Sequence, residues 1–209
     1  NCLGIYCPES RMSFSRLFPA ESGPVAFISQ SGGNSNYLVR QAALRGIRFS
    51  KVISYGNAAD LNESDFLEYL AEDPETKIIA MYLEGIRYGG RFHRALKYAA
   101  GKKPVVLLKG GTTTAGARAV MGHTSSLAGS SNIWESVCRQ AGAIQVLNLE
   151  EMIDVIVTLM FLPVPAGRRV LLFGGGGGSS VIVADTFERH GMVVPRVPKS
   201  VINELREFS

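Results

Sequence analysis

Between residues 24 and 162 short apolar runs of β-forming residues alternate with stretches of helical spacing. "PVAFIS" precedes "NSNYLVRQAALRG", "KVISYG" precedes "NESDFLEYLAED", and "KIIAMYLEG" precedes "GRFHRALKYAAG". "PVVLLKG" is followed, after a gap, by "SNIWESVCRQAG", and "AIQVLN" leads into "LEEMIDVIVTLMFL". Parallel neighbours in a sheet need a long crossover, and a helix of this length supplies it. Five strand–helix pairs in succession therefore specify an α/β fold, a doubly wound parallel sheet. The punctuation agrees: Gly46 and Gly101 close helices, and Asn62 or Ser64 is available to cap one.

Pro163, Pro165 and Gly167 then interrupt the pattern, and a second unit opens at Arg168. "RRVLLFGGGGGSSVIVADTFERHGMVVPRVP" repeats the order strand, glycine loop, helix, strand that starts at residue 23. The expected organisation is an irregular opening over 1–21, an α/β domain over 22–163, and the truncated start of a second α/β domain over 168–209. A chain that begins at Asn1 and stops at Ser209 inside a helical pattern reads as a piece of something longer.

Composition narrows the function classes. The chain has 46% hydrophobic and 19% charged residues, values of a globular protein and not of a disordered one. Its net charge is +4, and its basic pairs, Arg168-Arg169 and Lys102-Lys103, have no interleaved aromatics, which argues against nucleic acid. Three irregularly spaced cysteines point to a reducing, cytoplasmic setting and offer no zinc site, so no metal is expected. No basic-then-apolar leader is visible. The most apolar run, 152–162, is about half a membrane span and carries Asp154.

In an open parallel sheet the loops leaving the carboxyl ends of the strands share one edge, and ligands bind there. Those loops are "SQSGGNS", "GNAAD", "EGIRYGG" and residues 110–130, the last expected as a connection of about twenty residues, long enough to suggest a function. They bring Ser31, Gly32, Gly33, Asn57, Glu84 and His123 to one rim, with Arg118 as the other ionisable side chain of the long connection. Gly32 and Gly33, opening a helix, can offer backbone N–H groups to a phosphate, with the Ser31 hydroxyl added. A tight turn that requires glycine explains them equally. Glu84 can accept the Nδ1 proton of a histidine and leave Nε2 as nucleophile; the plainer alternative is an exposed charge at a strand end. His123, in "VMGHTSSLAGS", has small and hydroxyl-bearing neighbours that leave an imidazole uncovered. An ordinary pKa of about 6.5 keeps such a ring largely neutral and nucleophilic; the alternative is a structural histidine. His93 and His190, beside Arg94 and Arg189 on amphipathic helices, read as solvated. "GGGGGSS" fits a dinucleotide loop only loosely, because Arg196 stands where an acidic residue is needed for NAD.

"MGHTSSLAGS", "YLEG", "SQSGGNS" and "SYGNAADLNESDFLEYLAEDPETKIIAMYLEG" together resemble the NDP-forming acyl-CoA synthetases, which include ADP-forming acetate–CoA ligase and are relatives of succinyl-CoA synthetase. The resemblance spans nearly the whole chain and implies flavodoxin-like sheets. It also implies interconversion of acyl-CoA, ADP and phosphate with organic acid, CoA and ATP, through an acyl phosphate and a phosphohistidine. Carried over by position, His123 is the phosphohistidine and Glu84 its orienting carboxylate. Ser31, Gly32, Gly33, Gly122 and Thr124 form the phosphate cradle, with Asn57 and Arg118 in support. CoA and ATP or ADP with Mg are then substrates of the complete enzyme, none of them held permanently by these residues. The implied partners are a CoA-binding domain, whose tail "NCLG" resembles, and an ATP-grasp domain or subunit. A small organic acid and phosphate complete the set, in an oligomeric assembly with no nucleic acid and no membrane. The unit from Arg168 resembles the start of the family's second flavodoxin-like domain. Ser125 stands where family members often have glycine. The competing expectation is a non-catalytic regulatory or scaffold relative that binds CoA or acyl-CoA, a type attached in some relatives to a protein acetyltransferase domain.

Overall fold

A computed structural model describes residues 2–124, 131–163, 165–174 and 176–207, with the side chains of His123, Thr124 and Ser131 outside that set. In chain order the first part contains β1 (Gly4–Tyr6), β2 (Val25–Ser29), α1 (Gly32–Leu44), β3 (Phe49–Ser54) and α2 (Glu63–Glu72). There follow β4 (Ile78–Leu83), α3 (Gly89–Ala100), β5 (Val105–Lys109), α4 (Thr114–Thr124), α5 (Ser131–Ala141), β6 (Ile144–Val146) and α6 (Leu149–Phe161). The strands make one sheet in the order β1-β3-β2-β4-β5-β6, parallel throughout except for β1. All five expected strand–helix pairs are present, and the parallel part has the flavodoxin-like strand order.

Alternation along each strand builds the two faces. Val25, Phe27, Ile78, Ala80, Val106 and Leu108 pack under α1 and α6, against Leu38, Val39, Met152 and Ile156. Ala26, Ile28, Ile79, Met81 and Leu107 face the other way, toward Leu67 and Leu70 of α2, Phe92 and Leu96 of α3, and Trp134 of α5. Because helices cover both faces, β2 and β5 are buried along their whole length, which is why they read as unbroken apolar runs. The helix ends follow the sequence signals. Asn62 caps α2, accepting from Ser64 N while Asp65 reaches back to the Asn62 N–H. Gly46, beyond the end of α1, has φ +79°, a conformation that favours glycine.

Two expectations for this first part need correction. Residues 1–21 include a strand, since Gly4–Tyr6 pairs antiparallel with β3 from Gly4↔Ser54 to Tyr6↔Val52. The Tyr6 hydroxyl then donates to the Pro19 carbonyl at 2.7 Å, and the Tyr6, Phe14 and Phe18 rings stack edge to face. Residues 110–130, expected as one long loop, contain the helix α4. Ala115, Ala117, Arg118, Ala119 and Met121 are good helix formers that carry the segment despite Gly116 and Gly122, and the helix buries Val120.

Residues 163–209 form a second compact unit. It contains α7 (Gly177–Arg189) and α8 (Lys199–Arg206), neither of which buries a residue. The strand expected from Arg168 is reduced to a single parallel bridge, Arg169↔Val193, because no further strand lies beside it among the described residues. No helix among the described residues is long and apolar enough to cross a membrane.

Candidate functional site

The strand order places the site. β2 has β3 on one side and β4 on the other, so the connections leaving β2 and β4 part at their carboxyl ends and open a crevice. Gln30 follows β2 at that point and Glu84 follows β4.

Glu84 is only 5% exposed, so it is not a solvated charge at a strand end. Its surroundings hold it from several directions. The Oε1 of buried Gln30 accepts the N–H groups of both Glu84 and Gly85, the latter at 3.0 Å. The Gln30 Nε2 donates back to the Gly85 carbonyl at 2.9 Å. The Lys109 ammonium donates to the Glu84 carbonyl at 2.7 Å. The Tyr82 hydroxyl donates to the Glu84 carboxylate at 3.2 Å. Burial, then the Glu84 charge, pushes the Tyr82 phenol up to about 12, so it keeps its proton and stays a donor at neutral pH. Gly110 makes this approach possible, because a Cβ there would stand 2.7 Å from the Tyr82 hydroxyl.

A second buried carboxyl group lies on the same edge. Glu63, the first residue of α2, is 2% exposed and accepts from the Tyr55 hydroxyl at 3.4 Å. Burial raises its pKa. The Tyr55 phenol is raised in turn by burial and by the charges of Glu63 and Glu84.

The phosphate-cradle candidates take defined positions. Ser31 is the N-cap of α1, its hydroxyl accepting from Asn34 N at 3.3 Å. Gly32 is buried and Gly33 exposed. Among the described residues a Cβ at Gly33 would meet only the Ser31 Oγ, at 3.9 Å, so their packing does not demand glycine there, and its φ is not left-handed. The tight-turn explanation thus fails for Gly33, whose bare backbone leaves room for a ligand at the helix N-terminus. Asn57 is exposed in the turn after β3, flanked by left-handed Gly56 and Ala58. Arg118 is exposed on α4, and Gly122 lies on the same helix, where a Cβ would meet nothing within 4 Å among the described residues. His123 and Thr124 end α4; their side chains, and so any pairing of the His123 ring with Glu84, lie outside the described residues. So does Ser125.

Sequence reasoning missed Gln30, Glu63, Tyr82 and Lys109. Lys109 carried a usable signal: it is a charge at the end of the apolar run "PVVLL", the same pattern that singled out Glu84 after "IIAMYL". His93 is not the solvated residue expected, since it is half-buried and its Nε2 is shut from solvent with no hydrogen-bond partner among the described residues. Among the described residues no group of His, Cys, Asp and Glu side chains could hold a metal ion.

Residues 22–159 match the succinyl-CoA ligase-like flavodoxin domain. The chain belongs to that family. Over 208 residues it is 39% identical to the ADP-forming acetate–CoA ligase II subunit alpha of Pyrococcus furiosus, covering 100% of this chain and 45% of the relative. Over 210 residues it is 40% identical to the ADP-forming acetate–CoA ligase I of Archaeoglobus fulgidus, covering 100% of this chain and 30% of the relative. The fold matches that of a dinucleotide-forming acetyl-coenzyme A synthetase 1 from Ca. Korarchaeum cryptofilum, solved with phosphate and ADP. That match has a TM-score of 0.87 at 36% identity and covers 99% of this chain and 45% of the other. This succinyl-CoA ligase-like chain therefore spans less than half the length of these relatives.

Proposed function

We propose that these residues are the phosphohistidine-carrying part of an ADP-forming acyl-CoA synthetase. The complete protein would interconvert acyl-CoA, ADP and phosphate with a small organic acid, CoA and ATP. Phosphate attacks the thioester carbonyl, the CoA thiol leaves, and an acyl phosphate results. The His123 Nε2 then attacks phosphorus, the P–O bond to the acyl group breaks, and the acid leaves as its carboxylate. ADP takes the phosphoryl group from the nitrogen and becomes ATP.

Glu84 accepts the Nδ1–H of His123, fixing the tautomer and stabilising the charge the ring acquires. Ser31, Gly32, Gly33, Gly122 and Thr124 cradle the phosphoryl oxygens, with Asn57 and Arg118 in support. The observation that carries the reading is Glu84 itself, buried at the switch point and held through its backbone by Gln30 and Lys109. A scaffold that binds acyl-CoA without turnover gives that buried carboxylate no task.

ATP with Mg, and CoA, would be supplied by an ATP-grasp module and a CoA-binding domain. Both relatives are more than twice as long as this chain, and the Pyrococcus furiosus relative is one subunit of its enzyme, so either a longer chain or a partner subunit could carry them. Residues 1–21 would lead from the CoA-binding domain, and 168–209 would begin a second flavodoxin-like domain. An oligomeric assembly and a cytoplasmic setting belong to the same proposal; the three cysteines, all unbridged, support the latter.

The test is phosphorylation of the full-length protein with ATP and Mg. The expected product is an acid-labile, alkali-stable phosphoprotein that His123→Ala abolishes. A wild-type protein that takes no label, or a His123→Ala variant that still does, contradicts the proposal.

A further inference from the structure

The geometry points to Lys109 as a positioning residue that ties the Glu84 turn to the start of the segment carrying His123. Lys109 ends β5 and is only 5% exposed. Its ammonium donates to the carbonyl of Glu84 at 2.7 Å and also to that of Gly110. The first carbonyl belongs to the turn after β4, and the second to the connection that enters α4 and leads to His123. One ammonium thus spans the two backbones that carry the proposed orienting carboxylate and the proposed nucleophile. The third direction around the nitrogen is taken by the Trp134 ring, whose centroid lies 5.5 Å away.

A tie between two carbonyls needs a donor, but not a charge. Burying an ammonium without a bonded carboxylate is costly, and among the described residues neither contact of Lys109 is to a carboxylate. The cost is visible in the group itself: burial lowers its pKa, and the Glu84 charge offsets this only in part. A neutral polar side chain would hold the same carbonyls more cheaply. Retaining the cation makes sense where a fixed positive charge under the Glu84 turn keeps that carboxylate, and the partner it orients, in one arrangement. Lys109 touches neither substrate nor the reacting atoms in this account; it acts through Glu84.

This inference rests on the functional reading above, and its test separates the two. Single-turnover phosphorylation of the full-length protein with ATP and Mg is measured for wild type, Lys109→Met, Glu84→Gln and the double variant, with thermal melting alongside. Lys109→Met is expected to slow labelling by about tenfold or more, with the half-saturating ATP concentration changed by less than about twofold. In the Glu84→Gln background the same substitution is expected to add less than about twofold, because the two residues act in series. If Lys109→Met does not fold, Lys109→Gln is held to the same two criteria. Labelling unchanged by Lys109→Met, or slowing that multiplies across the double variant, overturns the role of Lys109 and leaves the phosphohistidine intact. An unlabelled wild type overturns the functional reading and this inference with it.

Discussion

Two lysines stand at opposite edges of the same sheet and are handled in opposite ways. Lys51, near the amino ends of the parallel strands, bonds the carboxylates of Asp73 at 2.9 Å and Glu75 at 2.8 Å. Asp73 also accepts from the Thr76 hydroxyl at 2.5 Å, and Thr76 in turn shares a hydrogen bond with Ser50. Burial works against the Lys51 ammonium, but Glu75 and Asp73 outweigh it and its pKa rises. Lys109, at the carboxyl ends, has carbonyls where Lys51 has carboxylates, and its pKa falls. The first arrangement is a closed structural clasp. The second leaves a cation incompletely compensated on the edge where ligands of such sheets bind. The pattern is not confined to that edge, since Lys103, ahead of β5, also bonds two carbonyls, those of Leu70 and Asp73, and burial lowers its pKa.

The difference can be broken from either end. Removing a counter-ion from the clasp should have the largest effect on stability. Asp73→Ala strands a largely buried ammonium with Glu75 alone and should cost about 3 kcal/mol, seen as a lower denaturant midpoint. Phosphorylation of the full-length variant should be unchanged at a temperature where it remains folded. The pH dependence has a definite sign. Burial raises the Asp73 carboxyl, the Thr76 hydroxyl and Lys51 outweigh it, and the net pKa is lowered. A lowered carboxyl contributes stability above its ordinary value of about 3.9 and loses it as pH falls through the folded value. The gap between wild type and Asp73→Ala should therefore narrow in acid below about pH 4.

Gln30→Ala acts at the other edge and should cost less stability but more activity. It leaves the Glu84 and Gly85 N–H groups and the Gly85 carbonyl without their partner, a loss of about 2 kcal/mol by the same denaturant measurement. The phosphorylation rate should fall by about tenfold, since the Glu84 backbone is no longer fixed. A variant as unstable as Asp73→Ala with full activity would reverse the assignment of the two edges.

The alternation of apolar runs made the sheet and its crossovers legible, because strands buried on both faces and amphipathic helices leave different periods in the sequence. Three features escaped. β1 is three residues long, too short for a period to register, and exists only because β3 offers it an edge. α4 was hidden by the glycines and hydroxyls of "TAGARAVMGHT", whose alanines favour helix all the same. The strand after Arg168 was read from its apolar pattern, but a strand needs neighbours, and here one bridge remains.

At the site, Glu84 was legible because a carboxylate after an apolar strand is conspicuous, and Ser31 with its glycines because helix N-termini have a composition of their own. Gln30 was not, since a glutamine between Ser29 and Ser31 looks like any polar loop residue. Its importance depends on β2 and β4 being neighbours, which no local pattern states.

The most direct test of the central claim is the phosphorylation rate of full-length Glu84→Gln. The glutamine keeps the shape of the side chain and removes its charge, so labelling should slow by at least about tenfold at a temperature where melting shows the variant to be folded. A labelling rate equal to wild type would mean that the Glu84 carboxylate, bonded by Tyr82 on a backbone that Gln30 and Lys109 hold, has no part in the chemistry.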